Sequence, residues 1–390
     1  MIDEDGGATI TTEIVPGLLR GALDLERGDL GVRPHRLPAW ARARADRQLV
    51  MAQSQPSGVR LVFRTAATRI EVDARRTTLA FAGVPPRPDG RYDLLVDGDL
   101  VDQQTSSGGT SLVTDLSTGV TENREGPLGT VRFADLPSRD KLVEVWLPHQ
   151  EMTELVALRT DAPVETIPTG TRRVWLHHGS SISQGSIAAS PTTTWPALAA
   201  ARGGVDLVNL GFSGSAMLDS FVARTMRDQP ADVVSVKIGI NLTNADVMRL
   251  RAFTPAVHGF LDAVRDGHPT TPLLVITPVL CPIHEDTPGP GAADFGDGTM
   301  RFRATGDPAE VAAGRLTLRT IREELTRIVT ERAADDPHLH LLDGLTLYGA
   351  GDAAEHPLPD RLHPDAATHR LMGERFAAHA FGPGGPFAAA

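Results

Sequence analysis

The chain has 390 residues, a formal net charge of -11 and a single cysteine, Cys281. That length suggests two domains, and a hydrophobic content of 41% with 22% charged residues is ordinary for a soluble globular protein. The acidic balance argues against nucleic acid as a partner, because a phosphate backbone requires a basic face. One cysteine excludes a disulfide framework within the chain and a cysteine-rich zinc site.

The N-terminal stretch, MIDEDGGATITTE, carries acidic residues where a secretory signal needs a basic start and an apolar run. No run of roughly 18 apolar residues occurs in the sequence, so we expect no membrane span. Together these two features predict a cytoplasmic protein.

The first part of the chain has the pattern of β-strands. The segment GVRLVFRTAATRIEVDARRTTLAFAG alternates apolar and polar positions, which is the period of half-buried antiparallel strands. Asp97 and Gly98 separate two further runs and predict a tight hairpin, because a primed turn needs positive φ angles. We predict an all-β sandwich or jelly-roll domain over residues 1–168, with the Ser/Thr/Gly-rich segment 104–127 as a long loop.

From residue 169 onwards, near-continuous apolar runs alternate with helical segments. The runs are RRVWLHHG, VDLVNLGF, DVVSVKIGIN, PLLVITPVL and HLHLLDG. Five buried strands separated by helices predict an α/β domain over residues 169–390, a flavodoxin-like five-stranded parallel sheet with helices on both faces. In such sheets the functional residues collect at the carboxyl ends of the strands.

Residues with catalytic potential follow these runs. They are Ser180 and Ser181 after the first run, Gly211 in the second, Asn241 in the third, and Asp360 and His363 before the last helix. A serine hydroxyl needs a neighbouring base to become a nucleophile, and a histidine oriented by a carboxylate suits that task. The developing oxyanion needs fixed donors. The N–H groups of Ser181 and Gly211 and the amide of Asn241 could supply them.

The segments GSSISQG, NLGFSG, GIN and DRLHPD resemble, in that order, blocks one, two, three and five of the SGNH, or GDSL-like, hydrolase superfamily. The resemblance covers about residues 170–380 and implies a nucleophile at Ser181, a base at His363 and an orienting acid at Asp360. It also implies an oxyanion hole made by Ser181, Gly211 and Asn241. Two positions depart from the family pattern, since Ser180 and Leu242 stand where aspartates are usual.

Each of these residues also has a structural interpretation, as a turn serine, a loop glycine or a helix cap, and only their joint order favours an active site. We expect His177 and His178 to be hydrogen-bonded structural residues. The segment CPIHED could be imagined as a metal site, but pocket lining or plain loop structure is expected, with no metal and no cofactor. The long segment 281–306 is expected to be a loop that determines substrate specificity.

The leading functional hypothesis is a serine-dependent ester hydrolase that acts through an acyl-enzyme on a small-molecule or sugar ester. The alternative uses the same site as an acyltransferase that acylates an alcohol of a natural product. A third reading is a non-catalytic carbohydrate-binding protein, because a jelly-roll-like domain before an SGNH domain resembles some carbohydrate esterases. For that hypothesis, Trp40 is the only aromatic residue that we expect to be free to stack on a sugar.

Overall fold

The computed structural model describes residues 9–83, 88–115, 118–296 and 299–389. Its contacts divide the chain into two compact units. The first comprises Met1–Arg36, Gln53–Thr171 and Ser190–Thr192, and the second comprises Leu37–Ala52, Arg172–Ala189 and Thr193–Ala390. The domain boundary expected after residue 168 stays a prediction. Residues 1–8 of the predicted first domain lie outside the described ranges.

The first unit is built of β-strands. In the described ranges these are β1 Ile10–Thr12, β2 Leu19–Arg20, β3 Asp24–Arg27, β4 Val32–His35, β5 Arg60–Thr65, β6 Ile70–Phe81, β7 Arg91–Val96, β8 Asp99–Thr105, β9 Thr110–Thr114, β10 Thr121–Glu125, β11 Gly129–Phe133, β12 Lys141–Trp146, β13 Met152–Thr160 and β14 Val164–Thr166.

Two sheets form this unit. One has the order β10-β9-β6-β13-β4-β3, with β1 on β13 and β11 on β6, and the other has the order β14-β5-β12-β7-β8, with β2 on β5. Apolar residues of both sheets form one buried cluster, to which Phe63, Val72 and Val143 belong. Alternation along the strands places these side chains inside. The prediction of a sandwich is confirmed.

The turn predicted at Asp97 and Gly98 joins β7 to β8, with φ angles of 53° and 94° as a primed turn requires. The prediction of a long loop over 104–127 is wrong, because β9 and β10 pair there as an antiparallel hairpin. The residues of β10, TENRE, are all polar and almost all exposed. The segment therefore lacks the apolar alternation by which a strand is predicted. Residues 116 and 117 lie outside the described ranges.

The second unit combines strands with helices. In the described ranges these are α1 Ala39–Arg42, α2 Arg47–Ser54, β15 Val174–Gly179, α3 Ser181–Gln184, α4 Trp195–Gly203, β16 Asp206–Gly211, α5 Ser220–Asp228, β17 Val233–Lys237, α6 Ile240–Asn244, α7 Leu250–Gly267, β18 Leu273–Ile276, β19 Gly291–Asp294, β20 Arg301–Ala304, α8 Leu318–Arg332, β21 Leu339–Leu342, α9 Ala350–Glu355 and α10 Ala366–Ala380.

The five strands β16-β15-β17-β18-β21 form a parallel sheet in that order. It is the 2-1-3-4-5 order of flavodoxin-like folds, so the predicted fold class is confirmed. Alternate residues of β15 identify the two faces. Trp175 stacks on Phe376 of α10, whereas His178 stacks on Phe260 of α7. The carboxyl ends of β15, β16 and β17 therefore lead into α3, the loop after Gly211 and α6 at one edge.

Two further expectations are corrected. The segment 281–306 is not simply a loop, because β19 and β20 pair in it as an antiparallel hairpin; residues 297 and 298 lie outside the described ranges. Trp40 belongs to the α/β unit, and the guanidinium of Arg224 lies 4.9 Å from its ring centroid. It is therefore no free platform on the sandwich. No helix in the described part of the chain is long and apolar enough to cross a membrane.

Candidate active site

The turn between β15 and α3 carries both serines of the first motif. Ser180 is the N-cap of α3, and its Oγ accepts a hydrogen bond from the N–H of Ile182 at 3.3 Å. Ser181 is the first residue of the helix. A Cβ at Gly179 would lie 2.3 Å from Ser183 Oγ, so only glycine lets the strand approach the helix so closely. The two serines thus have different tasks, and Ser180 is the cap.

Ser181, His363 and Asp360 form a continuous chain of hydrogen bonds. Ser181 Oγ lies 3.0 Å from His363 Nε2, and His363 Nδ1 lies 2.7 Å from Asp360 Oδ2. The other oxygen of Asp360 accepts the N–H groups of Leu362 and His363, at 2.9 and 2.7 Å. Burial raises the pKa of Asp360, but the hydrogen bonds and charge from His363 and the backbone outweigh it and lower the pKa overall.

Asn241 follows β17 as the second residue of α6, and its amide has a fixed orientation. Its Oδ1 accepts the N–H of Ala216 at 3.1 Å, which leaves the two hydrogens of Nδ2 for another acceptor. The N–H of Ser181 lies in the first turn of α3, where helix N–H groups have no partner inside the helix. The role of these two donors in an oxyanion hole stays a prediction.

Gly211 does not keep its N–H free for that purpose. The group donates to Oδ1 of Asn209 at 2.9 Å, because the side chain two residues earlier folds back over the strand end. A Cβ at Gly211 would lie 2.5 Å from the backbone nitrogen of Gln184, so glycine is needed here for the close packing of α3 on β16. The sequence-based assignment of Gly211 as an oxyanion donor is corrected accordingly.

Polar residues that were not predicted to belong to the site hold the nucleophile turn in place through hydrogen bonds to Ser183. His177 Nε2 lies 2.8 Å from Ser183 Oγ, and its Nδ1 lies 2.7 Å from Ser235 Oγ. Asn209 Nδ2 donates to the carbonyl of Ser183 at 2.9 Å. Burial holds the pKa of His177 well below its ordinary value, so the imidazole is neutral. The prediction of a hydrogen-bonded structural histidine is confirmed, as it is for His178, which pairs with the carbonyl of Leu210.

Another buried histidine joins the segment after α3 to the last helix. His369 Nε2 lies 2.9 Å from the carbonyl oxygen of Ser186, and its Nδ1 accepts the N–H of Trp195 at 3.3 Å. Burial lowers the pKa of His369 to about 4. Its position six residues after His363, inside a helix, gave no signal of this role in the sequence.

The segment CPIHED is held in the fold by hydrogen bonds of its own residues. Cys281 is buried, its N–H donates to Glu285 Oε1 at 3.1 Å, and burial raises the pKa of its thiol to about 12. His284 lies 3.2 Å from the side-chain oxygen of Asn244. Among the residues that the structure describes, no group of three or more His, Cys, Asp or Glu side chains could hold a metal ion.

Two family models match the chain. Residues 172–280 match the GDSL-like Lipase/Acylhydrolase family, over the region that carries Ser181, Gly211 and Asn241. The predicted resemblance to the SGNH, or GDSL-like, hydrolases is confirmed for this region. Residues 18–156 match the model of the N-terminal domain of SsfX3. The match to an acylhydrolase family identifies the chain as an enzyme of the ester-hydrolase or acyltransferase class.

Solved structures of an acyltransferase and of carbohydrate esterases resemble the chain over most of its length. The salicylyl-acyltransferase SsfX3 from a tetracycline biosynthetic pathway is 28% identical, with a TM-score of 0.75 over 95% of both chains. A family two carbohydrate esterase from Cellvibrio japonicus is 12% identical, with a TM-score of 0.56 over 96% of this chain and 98% of that one. Another from Clostridium thermocellum, in complex with cellohexaose, is 14% identical, with a TM-score of 0.55 over 84% and 93%. No curated protein sequence matches the chain.

Proposed function

We propose that this enzyme transfers an acyl group from an activated donor to an alcohol through an acyl-enzyme on Ser181. The observation that carries the proposal is the unbroken chain from Ser181 Oγ to His363 Nε2, at 3.0 Å, and from His363 Nδ1 to Asp360 Oδ2, at 2.7 Å. Because the pKa of Asp360 is lowered, its carboxylate accepts the Nδ1 proton. His363 Nε2 is then the acceptor for the serine proton.

In the first half-reaction, Ser181 Oγ attacks the acyl carbon while His363 Nε2 takes the hydroxyl proton. The tetrahedral intermediate collapses as His363 returns that proton to the leaving group, and the acyl group stays on Ser181. In the second half-reaction, the acceptor hydroxyl attacks the acyl carbon and passes its proton to His363. The Ser181–acyl bond then breaks, and Ser181 Oγ takes that proton back.

The oxyanion of both intermediates would be held by the Ser181 N–H and the Asn241 amide. In place of Gly211 we propose the N–H of Gly214 as the third donor. Gly214 has a φ angle of +70° and lies in the same loop as Ala216, whose N–H orients the Asn241 amide. Its own N–H has no hydrogen-bond partner within the described ranges. Donors fixed before the reaction stabilise the developing charge at no cost of reorganisation.

The choice of an alcohol as the second substrate is supported by the likeness to SsfX3, which extends over both parts of the chain. Hydrolysis by water is the second candidate and uses the same acyl-enzyme. It is supported by the match to the lipase and acylhydrolase family. A protein that only binds carbohydrate is disfavoured, because Ser181 is hydrogen-bonded to His363 and His363 to Asp360. The cytoplasmic location remains a prediction.

Intact-protein mass spectrometry after incubation with thioester and p-nitrophenyl ester donors, including salicylyl donors, tests the acyl-enzyme. We expect one acyl adduct, located at Ser181 by peptide mapping and absent from Ser181→Ala. An adduct that persists in Ser181→Ala contradicts the proposal. Adding a panel of alcohols to the loaded enzyme then separates the two fates: a new ester identifies an acyltransferase, and only free acid identifies a hydrolase.

A further inference from the structure

The hairpin of β19 and β20 lies against the loop that carries the proposed base. Residues 291–294 pair with residues 301–304 in antiparallel register. Phe302, on β20, donates its N–H to the backbone carbonyl of Asp360 at 2.9 Å. Its ring stands edge-on to the imidazole of His363, with centroids 5.8 Å apart and an interplanar angle of 77°. One residue thus contacts both the orienting acid and the base.

The two residues between Asp360 and His363 also contact this hairpin. Arg361 Nη1 lies 3.4 Å from Asp294 Oδ2 on β19. Leu362 is buried in an apolar cluster against which Phe302 packs. Arg361 has a φ angle of +66°, a left-handed conformation that an L-residue adopts only when its surroundings impose it. The hairpin therefore contacts every residue from Asp360 to His363.

A single hydrogen bond does not fix an imidazole. With the bond from Nδ1 to Asp360 in place, the ring can still tilt through small changes of χ1 and χ2, and such tilting moves Nε2 away from Ser181 Oγ. A ring packed across the imidazole at 77° blocks that movement, and edge-to-face contacts of this kind are favourable between aromatic rings. The pairing of β20 holds Phe302 itself in place.

We propose that Phe302 is a positioning residue for His363, and that the β19–β20 hairpin orients the base by contacting residues 360–363. This inference rests on the proposed role of His363. It predicts that Phe302 contributes to the rate of proton transfer and leaves the binding of the acyl donor nearly unchanged. A group that holds reacting atoms in line acts on kcat in this way.

Four variants and two measurements test the proposal. Phe302→Ala removes the ring, Phe302→Leu keeps apolar volume for the cluster, and Phe302→Tyr keeps the ring. Phe295→Ala is the matched control, since Phe295 is an exposed phenylalanine just after β19. We measure kcat and KM with a p-nitrophenyl ester, and the downfield proton signal of His363 Nδ1 by NMR, assigned through its loss in His363→Gln.

We expect Phe302→Ala and Phe302→Leu to lower kcat by about 10- to 100-fold with KM changed less than about twofold, and to broaden the Nδ1 signal. Phe302→Tyr and Phe295→Ala should stay within about twofold of the parent in both constants. An unchanged kcat and Nδ1 signal in Phe302→Ala overturns the proposal, as does recovery of kcat and signal in Phe302→Leu, which would make packing volume the whole effect. Full turnover in Ser181→Ala instead overturns the proposed function, while the NMR signal still reports on Phe302.

Discussion

The side-chain carbonyl of Asn241 accepts the N–H of Ala216 at 3.1 Å, so the loop after β16 decides which end of this amide is left for a ligand. We predict that Asn241→Ala lowers kcat by about 10²- to 10³-fold, the loss expected for one oxyanion donor. Asn241→Asp keeps an acceptor for Ala216 but has no N–H, and it should be impaired at least as much. Steady-state kinetics of both variants checks this, and a fully active Asn241→Asp would remove Asn241 from the oxyanion hole.

Asp360 is predicted to act by holding His363 in one tautomer and one orientation. Asp360→Asn should lower kcat by about 10⁴-fold, because the amide favours the wrong tautomer. Asp365→Asn is the matched control, since Asp365 caps α10 five residues later and asparagine caps a helix equally well. Its kcat should stay within about twofold of the parent. Comparable losses in both variants would mean that the effect belongs to the loop and not to the bond with His363.

The same carboxylate has a pH dependence of predictable sign. The pKa of Asp360 is lower in the folded protein than its ordinary value of about 3.9. Its stabilising contribution is therefore complete above that ordinary value and is lost as the pH falls through the lower folded value. Denaturant unfolding of parent and Asp360→Asn should show that the difference in unfolding free energy between them shrinks only below about pH 4. A difference that already shrinks near neutral pH contradicts this.

His369 should make the protein sensitive to acid over a higher range. Burial lowers the pKa of His369 to about 4 in the folded protein, whereas its pKa in the unfolded chain is about 6.5. Between these two values the unfolded chain is protonated at His369 and the folded protein is not. Stability is complete above about 6.5 and falls by up to about 3 kcal/mol as the pH drops towards 4. Unfolding free energies of parent and His369→Gln at several pH values measure this. An equal slope in the two proteins would exclude His369 as the source.

Asp93, a buried residue of β7, is predicted to stabilise the sandwich. Its Oδ2 accepts the hydroxyls of Ser190 and Thr192, at 2.6 and 2.5 Å, and its Oδ1 accepts the Gln103 amide at 2.7 Å. Asp93→Ala leaves these donors without their acceptor and should lower the free energy of unfolding by about 2–4 kcal/mol. The exposed Asp99 is the control, and Asp99→Ala should stay within about 0.5 kcal/mol. Chemical denaturation checks both values.

Gly211 offers a test of the corrected role. The Cβ of Gly211→Ala would meet backbone atoms of Ser183 and Gln184 within 2.6 Å, so α3 must shift and carry Ser181 with it. We expect a loss of about 1–3 kcal/mol of stability together with most of the activity. A Cβ at Gly259, inside α7, meets nothing within 4 Å, and Gly259→Ala should stabilise the protein by about 0.5–1 kcal/mol. An active, stable Gly211→Ala would refute the packing argument.

The position of Ser181 and His363 at the same edge of the sheet could be predicted, because the carboxyl ends of parallel strands meet there whatever the loops do. The hydrogen-bond partner of the Gly211 N–H could not be predicted. Gly211 occupies the position where a donor is expected, yet Asn209, two residues earlier, can reach back to it, and only side-chain geometry reveals that it does.

The errors over 104–127 and 281–306 have a common cause. Both segments are rich in turn-forming residues, and the strands within them are short, polar and half-exposed, so neither apolar alternation nor length distinguishes them from loops. The assignment of residues 37–52 to the α/β unit depends on contacts with residues far away in the chain, such as the hydrogen bond from Gln48 to the carbonyl of Ser213. Local pattern carries no information about such contacts.

The turn that carries Ser181 is supported by the neutral imidazole of His177. His177 is sealed between the hydroxyls of Ser183 and Ser235, and its pKa lies far below neutrality. A change of pH in the neutral range therefore alters no charge on His177, and its hydrogen bond to Ser183 in the nucleophile turn persists.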